Sequence, residues 1–309
     1  MIEHYEALVI GAGPAGLTAG LYLMRAGIRA IVCEKMTPGG APLNTGRIEN
    51  YPGFPEGIPG RELMDRFAAQ AKAFGLPIRE FNEVQGVKHE EGVFIVKINE
   101  GEISADGLII ATGSEPAKMG IPGETELTGR GVSYCATCDG MFFRGLDVAV
   151  VGGGDSAIEE ALALAHIVRK VYVVHRRDSL RAQKILQERA FNNPRIDFLW
   201  NSRPAEVLGT GAVEGLVVED TITHVRSKVA VSGVFFYVGY QPDTALFAQY
   251  VERDASGYII TDDRCATRTP GLYAAGDVRK KPLRQISTAV GDGAVAAVSL
   301  ERYILEKKG

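Results

Sequence analysis

The sequence predicts an α/β protein made of two Rossmann-like dinucleotide-binding domains, each a three-layer ββα unit, with the second inserted into the first. Three observations carry this expectation. A strand–glycine turn–helix pattern occurs twice, and both copies keep the same internal spacing. The chain's 309 residues, 46% hydrophobic and 23% charged, suffice for two ordinary cores.

The first copy starts with the apolar run Ala7-Leu8-Val9-Ile10 and turns through Gly11-Ala12-Gly13-Pro14-Ala15-Gly16. A helical stretch follows through Ala26, where Gly27 can stop it. In such a turn, backbone N–H groups and the helix dipole hold a pyrophosphate. Arg29 to Cys33 reads as the next strand and ends in Glu34. The second copy runs from the strand Asp147 to Val151 through Gly152-Gly153-Gly154-Asp155-Ser156-Ala157 into helical spacing over Ile158 to Ile167. The strand Val171 to Val174 then ends in His175-Arg176-Arg177.

Gly11 to Glu34 and Gly152 to His175 are both 23 positions, so the two strand ends are topologically equivalent. A carboxylate there accepts bonds from a free ribose and repels a 2′-phosphate. The cluster His175, Arg176, Arg177 and Arg181 does the reverse, because guanidinium forks match phosphate. The first site is therefore read as FAD and the second as NADPH.

The C-terminal part fits flavin in the first site. Gly271 to Ala275 reads as a strand ending in Gly276-Asp277, and Arg284-Gln285-Ile286 opens a last helix through about Leu305. Asp277 can bond a flavin's polar chain, and the helix start near Gln285 can stabilise negative charge on the ring. Between these parts, Glu83 to Ile110 reads as a meander, broken at Thr112-Gly113-Ser114-Glu115-Pro116. Gly113 is counted with the candidate flavin contacts. Gly239-Tyr240-Gln241-Pro242 breaks the pattern again, which gives a discontinuous FAD domain, 1–115 with 243–309, around an NADPH domain, 116–242.

Cys135 and Cys138 lie in the inserted part, 14 residues before Gly152. Zinc needs four ligands, and neither Cys33, Cys265 nor any of the five histidines stands at a suitable spacing. A structural disulfide across two residues constrains little chain entropy. A redox pair between a flavin and a pyridine nucleotide remains.

Taken in order, Gly11 to Gly16, Cys135-Ala136-Thr137-Cys138-Asp139-Gly140, Gly152 to Ala157, His175-Arg176-Arg177-Asp178 and Ala275-Gly276-Asp277 resemble the low-molecular-weight thioredoxin reductase family across nearly the whole chain. The resemblance implies electron flow from NADPH through FAD and the Cys135–Cys138 disulfide to thioredoxin. In it, Cys138 faces the flavin, Cys135 attacks the partner and Asp139 handles the proton. It adds Asn50 as a flavin-side residue, makes the loop Met141-Phe142-Phe143 a docking surface for thioredoxin, and implies a homodimer; Arg130, just before the cysteines, is by position a candidate partner contact, against the plain reading of a solvated arginine. Glutathione reductase and lipoamide dehydrogenase carry their cysteines in the first domain, where this chain has Gly39-Gly40-Ala41-Pro42-Leu43-Asn44. That stretch also departs from the family's Gly-Gly-Gln-Leu. Alternative acceptors are a glutaredoxin-like or peroxiredoxin-linked carrier, and the non-enzymatic alternative is a nucleotide-binding redox sensor. One flavin must meet both the nicotinamide and the cysteines, so the inserted domain is expected to rotate about Gly113 to Pro116 and Gly239 to Pro242.

A formal charge of −4 and a pI near 5.8 argue against nucleic acid or anionic membrane as partner. Four cysteines do not make a secreted disulfide scaffold, and the N-terminus has no basic stretch of a signal peptide. The expected location is a reducing cytoplasm.

Overall fold

The computed structural model describes residues 2–45 and 47–308, with Thr137 described by its backbone alone. The chain divides into two compact units, Met1–Glu115 with Gln241–Gly309, and Pro116–Tyr240.

In the first unit, parallel strands Ile78–Arg79, Ala30–Cys33, Glu3–Ile10 and Gly101–Ile110 lie side by side in that order. The antiparallel strands Val93–Ile98 and Val84–Glu90 follow. Gly101–Ile110 serves two neighbourhoods. Its early residues pair with Val93–Ile98 across the meander, while Leu108, Ile109 and Ile110 pair with Leu272–Ala274. Its sequence changes accordingly, from alternation around Ile103 and Ala105 to a continuous apolar run, as expected where a strand becomes buried on both faces.

Successive residues of Glu3–Ile10 face opposite cores. Ala7 and Val9 pack with the helices Pro14–Arg25, Gly60–Ala73 and Ile286–Lys308, whereas Leu8 and Ile10 share a core with Phe94, Val96 and Ile98 of the meander. The layers are thus helix, parallel sheet and antiparallel meander.

The second unit repeats this plan. Its parallel strands run Ile196–Leu199, Lys170–Val174, Asp147–Gly152, Gly233–Tyr237 and Val132–Ser133. The helices Asp155–Ala165 and Lys184–Phe191 cover one face, and the antiparallel strands Ser202–Leu208, Gly215–Asp220 and Arg226–Val229 lie on the other. The connecting segments Ser114–Pro116 and Tyr240–Pro242 pair as a two-stranded ribbon. Among the described residues, no helix is long and apolar enough to cross a membrane.

Helices Pro14–Arg25 and Ile286–Lys308 approach closely because Gly293 has no side chain. A Cβ there would fall 2.3 Å from the carbonyl oxygen of Ala15. Gly293→Val is therefore expected to cost about 1–3 kcal/mol through forced separation of the helices, read as a lower urea midpoint.

Candidate functional site

Cys135 and Cys138 are joined as a disulfide, with their Cα atoms 5.3 Å apart. The short helix Ala136–Asp139 begins between them and runs into a 3₁₀ turn, Gly140–Phe143. Its backbone donors are placed by specific acceptors. Cys135 N–H bonds Ser133 Oγ at 3.0 Å, Ala136 N–H bonds Tyr237 Oη at 2.8 Å, and Cys138 N–H points at Cys135 Sγ at 3.1 Å. Asp139 N–H closes the turn onto the Cys135 carbonyl.

The aromatic run after the cysteines splits into two roles. Phe143 is buried, stacks edge-on against Phe235 at 5.3 Å and occupies the space over Gly233. Phe142 is 80% exposed and Met141 55%. Phe143 belongs to the core, and the exposed pair is Met141 with Phe142. Glu160, on the helix packed against this turn, has a buried Oε2 without a hydrogen-bond partner, and burial with Glu159 alongside pushes its carboxyl up to about 7.

The first glycine turn is shaped by near contacts. Gly11 has φ +102°, and a Cβ there would lie 2.4 Å from the Ala111 carbonyl oxygen; one on Gly16 would lie 1.8 Å from that of Gly11. Gly13 and Gly40 face each other across the turn, and Ala15 abuts Gly276. Pro14 starts the helix, whose first turn has no side-chain cap and no acidic residue. That leaves its N–H groups to an anion. Buried Glu34 accepts from Ala12 N–H at 2.7 Å through Oε2 and from Met36 N–H at 2.9 Å through Oε1. A carboxylate has about four acceptor positions, so lone pairs remain for ribose hydroxyls.

The C-terminal candidates gather in the same unit. Asn50 Nδ2 donates to Gln285 Oε1 at 2.9 Å. The Arg284 guanidinium lies 3.7 Å over the Tyr258 ring, and Ile286 packs with Ile48, Ile58 and Leu63. Gly113 (φ +70°) borders open space. Asp277 Oδ1 is shut away from solvent and lacks a hydrogen-bond partner. An orphaned acceptor beside an uncapped helix start fits a molecule carrying hydroxyls and a pyrophosphate, as FAD does.

The second turn is built differently. Gly152 packs against the Tyr237 carbonyl and the Ala157 methyl, and Gly154 precedes the helix Asp155–Ala165 with open space around it. Ser156 is exposed at that helix start. Asp155 turns to the protein: its oxygens accept from Gln183 N–H at 2.7 Å and Gln183 Nε2 at 2.9 Å. The Gly153 carbonyl accepts from Arg181 N–H at 2.7 Å and Ala182 N–H at 3.1 Å, tying the arginine loop to the glycine turn.

The cationic reading of His175 needs correction. Its ring is buried beneath Gly153, where a Cβ would come within 2.4 Å of it, and Trp200 packs edge-on at 6.3 Å. Burial, with Arg181 and Arg177 nearby, outweighs backbone hydrogen bonds and lowers its pKa, favouring the neutral ring. The positive charge belongs to Arg176, Arg177 and Arg181, all exposed. Sequence reasoning also missed Tyr237, Glu160 and Gln183, which show no motif of their own. Among the described residues no cluster of His, Cys, Asp and Glu is placed to hold a metal.

Comparison with known proteins matches residues 5–293 to the family of pyridine nucleotide-disulphide oxidoreductases. Thioredoxin reductase of Bacillus subtilis is 46% identical over 303 residues, covering 98% of this chain and 95% of the relative. That of Treponema pallidum is 44% identical over 304 residues, with 98% of each covered. Among solved structures, Lactococcus lactis thioredoxin reductase aligns with TM-score 0.95 at 42% identity over 98% of this chain and 99% of the other. The T. acidophilum enzyme aligns at 0.93 and 35%, over 97% and 98%. The chain belongs to the thioredoxin reductase family. Membership makes it an FAD-dependent oxidoreductase that uses NADPH and a redox disulfide, and a non-catalytic sensor is not favoured.

Glu160 yields a test of the site's electrostatics. A carboxyl with a folded pKa above its unfolded value binds its proton more tightly when folded, so stability falls as pH rises from the usual carboxylate range to about 7. Glu160→Gln is expected to raise the melting temperature at pH 8 and leave it nearly unchanged at pH 5.

Proposed function

We propose that this chain passes electrons from NADPH through FAD and the Cys135–Cys138 disulfide to oxidised thioredoxin. The observation that carries this reading is a closed disulfide directly beside exposed Met141 and Phe142, in the unit that also holds the second glycine turn and its arginines. FAD supplies a two-electron relay between a pyridine nucleotide and a disulfide.

The residues divide the remaining work. Gly11, Gly13, Pro14, Ala15, Gly16 and Glu34 would hold the cofactor's adenosine diphosphate half. Asn50, Gly113, Gly276, Asp277, Arg284, Gln285 and Ile286 would hold its flavin half. Gly152, Gly154, Ser156 and Ala157 would take the NADPH pyrophosphate and Arg176, Arg177 and Arg181 its 2′-phosphate, with Asp155 and His175 shaping the loop beneath.

With the pair reduced, the Cys135 thiolate attacks one sulfur of the partner disulfide, forming a mixed disulfide and releasing one partner thiolate. Cys138 then attacks Cys135 Sγ, which re-forms the pair and releases the second. Two electrons leave the chain, and Asp139, adjacent to Cys138, supplies a proton as the thiolates depart. Exposed Met141, Phe142 and Arg130 would meet the partner. Because the disulfide and the NADPH residues share one unit and the FAD residues the other, the units would alternate by turning about Gly113 to Pro116 and Gly239 to Pro242. A homodimer, drawn from the family, and a reducing cytoplasm, drawn from the cysteine content, complete the reading.

Anaerobic NADPH oxidation with excess oxidised thioredoxin should turn over continuously and stop in Cys135→Ser; persistent turnover in that variant would refute the relay. Replacing Arg176 and Arg177 by alanine should raise KM for NADPH on the order of tenfold or more and leave NADH nearly unaffected, since charge-assisted bonds to one phosphate are removed.

A further inference from the structure

Behind the last strand of the first unit lies a buried group of charges that no motif announces. Lys281 has a side chain only 8% exposed, and its ammonium lies 3.0 Å from Asp292 Oδ2, 3.3 Å from Thr288 Oγ1 and 3.4 Å from Asp277 Oδ1. Asp292, on the last helix, also bonds Arg279 Nη1 at 2.8 Å through Oδ1 and accepts from Gly276 N–H at 3.1 Å. A buried ammonium needs several acceptors and an opposing charge, and Asp292 with Thr288 meets that need. The contact to Asp277 is of another kind. It has ion-pair distance without hydrogen-bond geometry, so Oδ1 remains an unused acceptor.

We propose that Lys281, anchored by Asp292 and Thr288, is a positioning residue for FAD: it holds the Asp277 carboxylate where it can accept a hydroxyl of the cofactor's polyol chain. The inference rests on the assignment of FAD to this unit. Two charges oppose here in a small space, so the lysine aligns the carboxylate electrostatically while leaving its lone pairs for the cofactor. Burial raises the Asp277 pKa. Lys281 is the main group acting against that, aided by Arg284 from the same loop, while Asp292 from the last helix adds to the rise. The stronger, ionised acceptor is therefore lost as pH falls through this raised value, and without Lys281 it is lost at a higher pH.

The test titrates apoprotein with FAD, following quenching of flavin fluorescence across pH, for the wild type, Lys281→Met, Asp277→Asn and the double variant. Lys281→Met should bind FAD on the order of tenfold more weakly at neutral pH, with the acid-side loss of affinity moved to higher pH. In the Asp277→Asn background the lysine substitution should no longer matter, and Lys281→Arg should restore most of the affinity. An unchanged affinity and pH profile in Lys281→Met, or an equal loss in both backgrounds, would overturn the proposal. Wild-type apoprotein that takes up no FAD would instead strike the cofactor assignment. Should Lys281→Met fail to fold, Lys281→Gln, which keeps a donor for Asp292 but drops the charge, is read in the same way.

Discussion

The first turn of helix Pro14–Arg25 is packed closely through three glycines, Gly16 of its own and Gly276 and Gly293 from distant segments, and the arrangement of the first unit depends on that crowding. Gly16 leaves room for the Gly11 carbonyl, Gly276 for the methyl of Ala15, and Gly293 for the Ala15 carbonyl. A side chain at any of these positions would have to displace backbone or a packed methyl. With strand, helix and last helix brought this close, the helix N-terminus faces the cofactor side with its donors free. Binding chemistry here is a product of close packing.

The second unit reaches a similar end with other contacts. Its turn packs on Ala157 and the Tyr237 carbonyl, and its middle residue, Gly153, must lack a side chain because His175 lies under it. The two strand-end residues at equivalent spacing therefore differ in more than charge. Glu34 stays an acceptor while stapling its turn through two backbone N–H groups, whereas His175 supports its turn as a buried ring and the exposed positive charge lies on the arginines beyond it.

Much of this could be read from the sequence because the relevant features are local. Glycine turns, strand ends and the cysteine pair each depend on residues within a few positions, so Ala7 to Gly16 and Asp147 to Ala157 could be placed on strand, turn and helix. The double role of Gly101–Ile110 was hidden, since it depends on pairing with Leu272–Ala274, far along the chain. Burial was hidden as well: His175 beside two arginines looks cationic until the strand end is folded under Gly153, and adjacent Phe142 and Phe143 look alike until one is placed over Gly233. Lys281 sits in the charged run Arg279-Lys280-Lys281, which reads as a solvated surface. Only the tertiary placement of Asp292 shows that it is buried.

Tyr237 links the two chemical parts of the second unit. Its backbone pairs in register with Gly152, placing its carbonyl against the glycine turn, and its phenol oxygen accepts from Ala136 N–H inside the redox turn. One residue at one strand end thus fixes both the glycine turn and the disulfide to a common sheet. Neither can shift independently without breaking a buried hydrogen bond or opening a packed backbone contact, each costing on the order of 1–3 kcal/mol. These contacts favour the two parts of this unit moving together. Where the chain crosses between the units, Gly113 and Gly239 both adopt positive φ with open space around them, a conformation that glycine takes at no steric cost.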